Sequence, residues 1–188
     1  MTATEKVDIV IIGAGPAGST AAEHAALAGL SVLVLEKRRV IGVPVRCGEF
    51  LPHVDEVQRF FPAAADLAPL FELPPDLHSL ETGAIRIFSP KLTEWDIPFH
   101  GFTTDRARFD QHLAEKARKS GATILTDEAC QSVEGGVVTT PDRRVEAKVI
   151  IGADGPLSLV GKQLGLARPS DLCPAITAEA KGHFDKVP

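Results

Sequence analysis

The sequence predicts an α/β fold with a mostly parallel sheet, and four features of its first forty residues support this class. Residues 7–12 form an apolar run typical of a buried strand, and residues 13–18 follow as a glycine-rich turn. An alanine-rich stretch then predicts a helix that ends near Gly29. A second apolar run, residues 31–35, ends in Glu36. This order of strand, turn, helix and strand is typical of a Rossmann-like dinucleotide-binding unit.

The glycines of the turn have G-x-G-x-x-G spacing, which suits phosphate binding. Gly13 permits the tight turn, Gly15 lets a pyrophosphate approach the backbone, and Gly18 lets the helix pack on the strand. Ala17 lies in the first helical turn, where free N–H groups and the helix dipole favour an anion. The turn is therefore predicted to hold the pyrophosphate of a dinucleotide.

Glu36 is the acidic residue expected about twenty residues beyond the glycines, where a carboxylate accepts hydrogen bonds from both ribose hydroxyls. Its charge disfavours a 2'-phosphate on that ribose, and the basic run of residues 37–39 would soften the repulsion. The same run is equally compatible with a solvated basic loop. Lys37 is predicted as a further cofactor contact.

Beyond Glu36 the sequence departs from a plain nicotinamide-binding domain, because no third strand and helix follow at once. Residues 40–50 predict a loop, and a proline-rich stretch occupies residues 61–75. The runs 84–88 and 93–99 predict a hairpin. An insertion therefore interrupts the sheet at about residues 40–102.

The main sheet is predicted to resume after a helix that Thr104 or Asp105 caps and Gly121 ends. Residues 122–125 predict a strand of the main sheet.

A small hairpin is predicted from residues 137–140 and 144–147, and a separate buried strand from residues 148–151. The turn after this strand holds Asp154. That residue is open to two interpretations, a cap on a helix predicted at 156–164 and a contact to the cofactor.

Composition limits the remaining possibilities. The chain has 188 residues, 44% of them hydrophobic, and a net charge of -5, which suits one compact domain and argues against a nucleic-acid partner. Cys47, Cys130 and Cys173 are too widely spaced for a disulfide framework or a zinc site and favour a reducing, cytoplasmic location. The six histidines lack metal-ligand spacing, so no metal site is expected. No membrane span is predicted, and any membrane contact would be peripheral.

Taken together, these features resemble the flavoproteins related to para-hydroxybenzoate hydroxylase. The resemblance implies a Rossmann-like FAD domain of three β/β/α layers, split by insertions. Residues 42–49, with the run Pro-Val-Arg-Cys-Gly-Glu, and residues 105–110 and 153–155 further resemble the geranylgeranyl reductase family. This resemblance covers residues 7 to about 166. It implies that reduced FAD saturates the double bonds of prenyl chains on lipids or prenyl diphosphates, with NAD(P)H as a possible electron donor.

The resemblance also implies roles for individual residues. Asp154 and Gly155 match a second pyrophosphate motif, while Cys130 falls where the backbone passes the adenine. Arg108 is the expected further FAD contact, and nearby Arg106 is equally compatible with a surface position. The residues expected along the flavin are Arg46, Cys47 and Gly48.

Cys47 and Arg46 are the candidate catalytic residues. An isolated alkene accepts hydride poorly, so a proton source is needed, and the Cys47 thiol holds the most informative position for it. The adjacent positive charge of Arg46 favours the thiolate, which weakens Cys47 as a proton donor. A positional or redox role for Cys47 is the alternative.

The predicted domains are an FAD-binding domain, residues 1–174, and the start of a substrate-domain strand, residues 175–188. The substrate domain is then largely absent, and the chain is expected to be the N-terminal piece of a larger enzyme. An unpaired strand near 175–184 would expose an edge that favours a homodimer. The alternative functions are an FAD-dependent aromatic monooxygenase and a non-catalytic FAD-binding fragment.

Overall fold

The computed structural model describes residues 4–63, 73–166, 175–176 and 182. The strands in chain order are β1 (Glu5–Ile12), β2 (Val32–Glu36), β3 (Phe50–Pro52), β4 (Leu80–Phe88), β5 (Glu94–Thr103), β6 (Thr123–Thr126), β7 (Ser132–Glu134), β8 (Val137–Thr139) and β9 (Arg144–Gly152). The helices are α1 (Pro16–Leu27), α2 (Val54–Phe60), α3 (Arg106–Lys119) and α4 (Leu159–Gln163), and a 3-10 turn covers Pro75–Leu77.

A six-stranded sheet in the order β6-β2-β1-β9-β8-β7 forms the centre of the fold. Strand β1 pairs in parallel with β2 and β9, and β2 pairs in parallel with β6. Each of these strands was predicted from its apolar run. Helix α3 was also predicted, and Asp105 caps it by accepting a hydrogen bond from the Arg108 N–H.

Alternating residues of β1 and β2 supply the two halves of the core, because successive side chains of a strand point to opposite faces. Ile9 and Ile11 belong to a cluster that includes alanines of α1 and α3. Val10 and Ile12 belong to a second cluster with Val138 of β8 and Val160 of α4. Helices α1 and α3 thus cover one face of the parallel strands, while the β7–β8 hairpin, which continues the same sheet, packs with α4 against the other face. This arrangement confirms the predicted three-layer α/β fold.

The predicted hairpin and the predicted strand after it are one element in the structure, so their separation was wrong. Strand β9 runs without a break from Arg144 to Gly152. Its first part pairs antiparallel with β8, while β1 pairs with it in parallel and in one register between Val145 and Gly152. Pairing with β1 in the same register on both sides of Lys148 holds β9 extended through that residue, where the sequence pattern suggested a boundary.

The insertion forms its own three-stranded sheet, in the order β3-β5-β4. The hairpin of β4 and β5 was predicted, although both strands are longer than their apolar runs. Strand β3 and helix α2 were not predicted. Strand β3 has only three residues, which leave no periodicity to detect. The insertion joins the main domain where the Thr104 N–H donates to the Glu49 carbonyl over 2.8 Å.

Two predictions fall on residues that lie outside the described segments. These are Cys173 and, apart from Ala175, Ile176 and Gly182, the predicted substrate-domain strand with its edge. Among the described segments, none of the helices is long and apolar enough to cross a membrane.

Candidate functional site

Two glycines of the first turn are required for packing. Gly13 has φ +103°, and a Cβ atom there would lie 2.3 Å from the Ala153 carbonyl oxygen. A Cβ atom on Gly18 would lie 1.9 Å from the carbonyl oxygen of Gly13. These contacts bring β1, α1 and the turn after β9 together at the carboxyl end of the parallel sheet.

Gly15 differs from the other two glycines, because a Cβ atom there would meet nothing within 4 Å. It is the N-cap residue of α1, no side chain caps this helix, and Pro16 occupies its start. The next N–H groups, on Ala17 and Gly18, lie in the first helical turn, and Ala17 is exposed. The helix end is therefore an open cradle for an anion, which fits the pyrophosphate of a dinucleotide.

Glu36 ends β2 beside this turn and is buried. Its Oε2 accepts a hydrogen bond from the Ala14 N–H over 2.8 Å, and its Oε1 accepts one from the Arg38 N–H over 2.9 Å. Each carboxylate oxygen has a second lone pair, so a ribose hydroxyl can still donate to it. The structure thus adds a role in holding the glycine turn, while the ribose contact stays a prediction. Lys37 is exposed at the same edge.

The turn after β9 lies against the first turn. The Ala153 N–H donates to the Ile12 carbonyl over 2.8 Å, and Gly155 has φ +88°. Asp154 accepts hydrogen bonds from the Leu159 N–H over 2.6 Å and from the Ser158 hydroxyl, and so anchors the start of α4. Partial burial opposes its charge, but these hydrogen bonds outweigh burial and lower its pKa. Asp154 therefore bonds the first N–H groups of α4, as the predicted capping role requires, although the helix begins at Leu159 and its N-cap residue is Ser158. The cofactor contact of Asp154 stays a prediction.

Cys130 lies between β6 and β7, half-buried at the edge of the second core cluster. Burial raises the pKa of its thiol, and the nearby negative charge of Asp154 raises it further. The structure therefore places Cys130 near the second turn. Its proximity to an adenine stays a prediction.

Cys47 lies in the loop between β2 and β3, where a partner distant in sequence holds its sulfur. Nη1 of Arg106, the first residue of α3, donates to the Cys47 Sγ over 3.0 Å. Nε of Arg106 donates to Asp110 Oδ1 over 2.7 Å, and its backbone N–H donates to Glu49 Oε1 over 3.3 Å. Burial disfavours the charged guanidinium, but the bonds to Asp110 and Cys47 outweigh burial and raise the Arg106 pKa.

The sequence pointed to Arg46 as the electrostatic partner of Cys47, whereas the structure places a second arginine, Arg106, on the sulfur. Arg46 is exposed, whereas Arg106, equally compatible with a surface position in the sequence, contacts the sulfur. The four-residue spacing of Arg106 and Asp110 on one helix face was a usable signal for their ion pair. No local pattern links Arg106 to a cysteine 59 residues earlier. The roles of Arg46 and of exposed Gly48 along a flavin stay predictions.

Arg108 has a partner that the sequence did not suggest. Its Nη2 donates to Asp76 Oδ2 over 2.9 Å and its Nη1 to the Asp76 carbonyl over 3.1 Å, so it ties α3 to the 3-10 turn. An FAD contact from this side chain stays a prediction.

An apolar cavity of about 380 Å³ opens beside the first turn of α1. Helices α1 and α3 form one side of it, and β3 and β5 form the other. Its lining residues are Pro16, Ala17, Thr20, Leu51, Pro52, Leu73, Phe102, Phe109 and Leu113. The phosphate cradle thus adjoins a space suited to a hydrocarbon or a planar ring.

Comparison with known proteins is consistent with this site. A family model described as an NAD(P)-binding Rossmann-like domain matches residues 11–62, which include the glycine turn and Glu36. An uncharacterized protein from the nifH2 5' region of Methanosarcina barkeri is 43% identical over 87% of this chain and 90% of its own length.

Two further relatives carry functional names. Digeranylgeranylglycerophospholipid reductase 1 of Methanosphaera stadtmanae is 37% identical over 86% of this chain and 41% of its own length. The crystal structure of a geranylgeranyl bacteriochlorophyll reductase-like protein from Thermoplasma acidophilum has a TM-score of 0.64 and 32% identity, covering 81% of this chain and 40% of that protein. The chain therefore spans less than half the length of the reductases it matches.

Proposed function

Because this chain belongs to the FAD-dependent geranylgeranyl reductase family and matches its N-terminal portion, we propose that it binds FAD and serves the reduction of prenyl double bonds. The electron donor in this proposal is NAD(P)H. One observation carries the cofactor assignment, namely the uncapped start of α1, where the space above Gly15 is free. The second turn, at Asp154 and Gly155, adjoins that space.

The proposed FAD contacts follow from the placement of these groups. The N–H groups of Ala17 and Gly18 bind the pyrophosphate, because α1 presents them uncapped at its positive end. Glu36 binds the adenosine ribose with the lone pairs that the backbone N–H groups leave free. Lys37, Cys130 and Arg108 are weaker proposals, since Arg108 already pairs with Asp76.

Reduced FAD, formed with NAD(P)H, would supply the hydride for one carbon of the alkene, and a proton would have to reach the other carbon. We assign the loop at Cys47 to the flavin side of the site, with the thiol as candidate proton source. Arg106 positions the sulfur, and Asp110 in turn orients the guanidinium. Arg46, exposed on the same loop, is then available to contact FAD or a diphosphate.

The apolar cavity supports the proposed substrate class. A prenyl chain of a lipid or a prenyl diphosphate is hydrocarbon, and the side chains of α1, α3, β3 and β5 offer it an apolar wall. A lipid substrate would bring the protein to a membrane surface, so peripheral membrane contact and a cytoplasmic location belong to the same proposal.

The second candidate function is FAD binding without turnover. It is favoured by the relative from Methanosarcina barkeri, which carries no reductase name and which the chain matches over 90% of its length. Both candidates require the same cofactor site. They differ in whether NAD(P)H reduces the bound flavin and a prenyl substrate then reoxidises it.

The experiment is a visible absorbance spectrum of the purified chain after FAD is added and the excess removed. Flavin bands that stay with the protein support the site, and their anaerobic bleaching by NADPH with reoxidation by a prenyl substrate supports the reductase. Retained FAD without turnover supports the second candidate. Failure to retain FAD would contradict both.

Gly15→Ala is the matched test of the cradle. Gly15 has φ -70°, which alanine adopts readily, so the free energy of unfolding should fall by about 1 kcal/mol or less. The new methyl group would occupy the space required by the pyrophosphate, so FAD retention should fall at least about tenfold, the equivalent of one lost hydrogen bond or more. Gly83→Ala is the control, because a Cβ atom there also meets nothing within 4 Å but lies on the inserted sheet.

A further inference from the structure

Three histidines from separate segments meet on the inserted sheet. His53 precedes α2, His78 follows the 3-10 turn, and His100 lies on β5. The ring centroids of His53 and His100 are 4.4 Å apart, and those of His53 and His78 are 6.0 Å apart. Glu81 of β4 lies between the rings, with Oε2 2.6 Å from His53 Nε2 and Oε1 3.5 Å from His78 Nδ1. We call these four residues the histidine cluster.

The cluster has the dimensions of a cation site. One ring nitrogen of His53, one of His100 and a carboxylate oxygen of Glu81 all lie within 4.8 Å of one another. Ligands that bind one zinc ion at about 2.0–2.2 Å lie roughly 3–4 Å from one another. Side-chain adjustments of about an ångström or less would therefore bring the three atoms to binding distance, and these partly exposed side chains can make them.

Asp55 of α2 gives one of the histidines the outer contact common among metal ligands. Its Oδ2 lies 2.7 Å from His100 Nδ1. A carboxylate at Nδ1 holds the proton on that nitrogen and leaves the lone pair of Nε2 available to an ion.

Phe102 packs against the rings of His53 and His78 from the core side. It is buried, and His78 stacks on it with a centroid distance of 3.9 Å and an interplanar angle of 4°. The His53 ring lies 5.0 Å from it. Nε2 of His78 is buried and has no hydrogen-bond partner among the residues that the structure describes. The cluster therefore combines rings held in place with one nitrogen that lacks a partner.

We propose that the histidine cluster binds a divalent transition-metal ion of the zinc class, with His53, His100 and Glu81 as its ligands. Imidazole nitrogens with one carboxylate oxygen form a typical zinc donor set that leaves a further coordination position open. The ion replaces the proton shared by His53 and Glu81, and that proton passes to solvent. His78 or water takes the open position.

This inference is independent of the proposed function and differs from the absence of metal expected from the sequence. The ligands are residues 53, 81 and 100, which are too far apart in the sequence to form a recognisable metal-binding motif. The Glu81 carboxylate is 63% exposed, which leaves a solvent-side path for an ion.

The test uses the full 188-residue chain without a histidine tag, stripped with a chelator and titrated with zinc chloride against a chromogenic chelator. We expect one tightly bound zinc ion per chain that the variant H53A/H100A binds at least about 100-fold more weakly, since two of three ligands are lost. Asp55→Asn should weaken binding about 10–100-fold, as loss of an outer contact does. His24→Ala, an exposed position on α1, is the control and should bind zinc like the wild type.

A single variant tests the same site independently, so that the proposal does not depend on the folding of H53A/H100A. Glu81→Gln keeps the size and hydrogen-bonding capacity of the side chain but removes its charge, and it should weaken zinc binding at least about tenfold. Equal zinc affinity of the wild type, H53A/H100A and Glu81→Gln would overturn the proposal. Intense visible bands of bound cobalt(II), absent in H53A/H100A, would support four-coordinate binding. The titration contains no FAD, so its result is separate from the flavin experiment.

Discussion

The parallel sheet and the inserted sheet are stabilised by different physical means. All five residues of β2 are buried, whereas every residue of β4 is exposed or only partly buried. Polar pairs support the inserted sheet, among them the two-bond ion pair of Arg86 and Asp96 and the contact of His53 with Glu81. The parallel sheet is therefore expected to tolerate little change in volume. The inserted sheet is expected to respond to pH and ions instead.

Gly18→Ala should have the largest effect on stability. The added methyl group would lie 1.9 Å from the Gly13 carbonyl oxygen, which is backbone and cannot rotate away. We expect the free energy of unfolding to fall by about 3 kcal/mol or more, measured by urea denaturation. The control Gly83→Ala should change it little, and an equal loss in both variants would contradict the packing argument.

A pair of truncations compares the two sheets directly. Leu33 of β2 is 1% exposed, whereas Ile97 of β5 is 46% exposed. Leu33→Ala should cost about 2–5 kcal/mol through lost burial and a residual cavity. Ile97→Ala should cost about 1 kcal/mol or less, because only cross-strand contacts are lost. Similar losses in urea denaturation would show that the inserted sheet is as tightly packed as the parallel one.

Arg106→Gln tests the junction between the two regions. The substitution leaves Asp110, which is 7% exposed, without its cation. It should cost about 1–3 kcal/mol, the range expected when a buried polar group loses its partner. The Cys47 thiol should also change its reactivity toward a thiol reagent, since its nearest cation is lost. An unchanged rate relative to the wild type would show that Arg106 does not control the sulfur.

Local patterns predicted the parallel sheet well, because its strands and turns are set by neighbouring residues. The run from residue 7 to Glu36 encodes strand, turn, helix and strand through short-range periodicity and three glycines. The error at β9 arose because pairing with β1 extends that strand, and pairing is a long-range property. The three residues of β7 were missed for the same reason as β3.

The candidate site also contains some residues that local patterns predicted and others that they did not. The glycine turn and Glu36 were recognisable from spacing, and the cap at Asp154 from its position before a helix. The contact of Arg106 with Cys47 joins residues that are 59 positions apart in the chain. Within the histidine cluster, His53 and Glu81 are 28 positions apart. Only the folded insertion brings such residues together.

Asp154→Ala should have a moderate effect on stability and a larger one on the cofactor. Loss of the hydrogen bonds to α4 should cost about 0.5–2 kcal/mol in urea denaturation, the usual range for a helix cap. Ser158→Ala removes the neighbouring cap and is the matched variant, because its hydroxyl accepts from the Gly161 N–H. If Asp154 also contacts FAD, Asp154→Ala should lower FAD retention more than Ser158→Ala does. Equal retention would limit Asp154 to its capping role.

The smallest expected effect is a pH dependence that arises from one exposed pair of the inserted sheet, Asp55 and His100. The hydrogen bond between Asp55 and His100 raises the pKa of His100 above its ordinary 6.5 and lowers the pKa of Asp55 below its ordinary 3.8. The contribution of His100 to the free energy of unfolding is thus fully present below pH 6.5 and is lost as pH rises through the pKa that His100 has in the folded protein. The contribution of Asp55 to the free energy of unfolding is present above pH 3.8 and is lost as pH falls through the pKa that Asp55 has in the folded protein.

The pair therefore stabilises the fold most between these limits, in weakly acidic solution. His100→Asn removes both contributions, so the melting temperature of the variant, measured with a chelator present, should depend less on pH above 6.5 than that of the wild type. Because both side chains are more than half exposed, water and salt screen the pair, and the difference should shrink as salt is added. Identical pH profiles for the two proteins would show that the exposed pairs of the inserted sheet contribute no measurable stability.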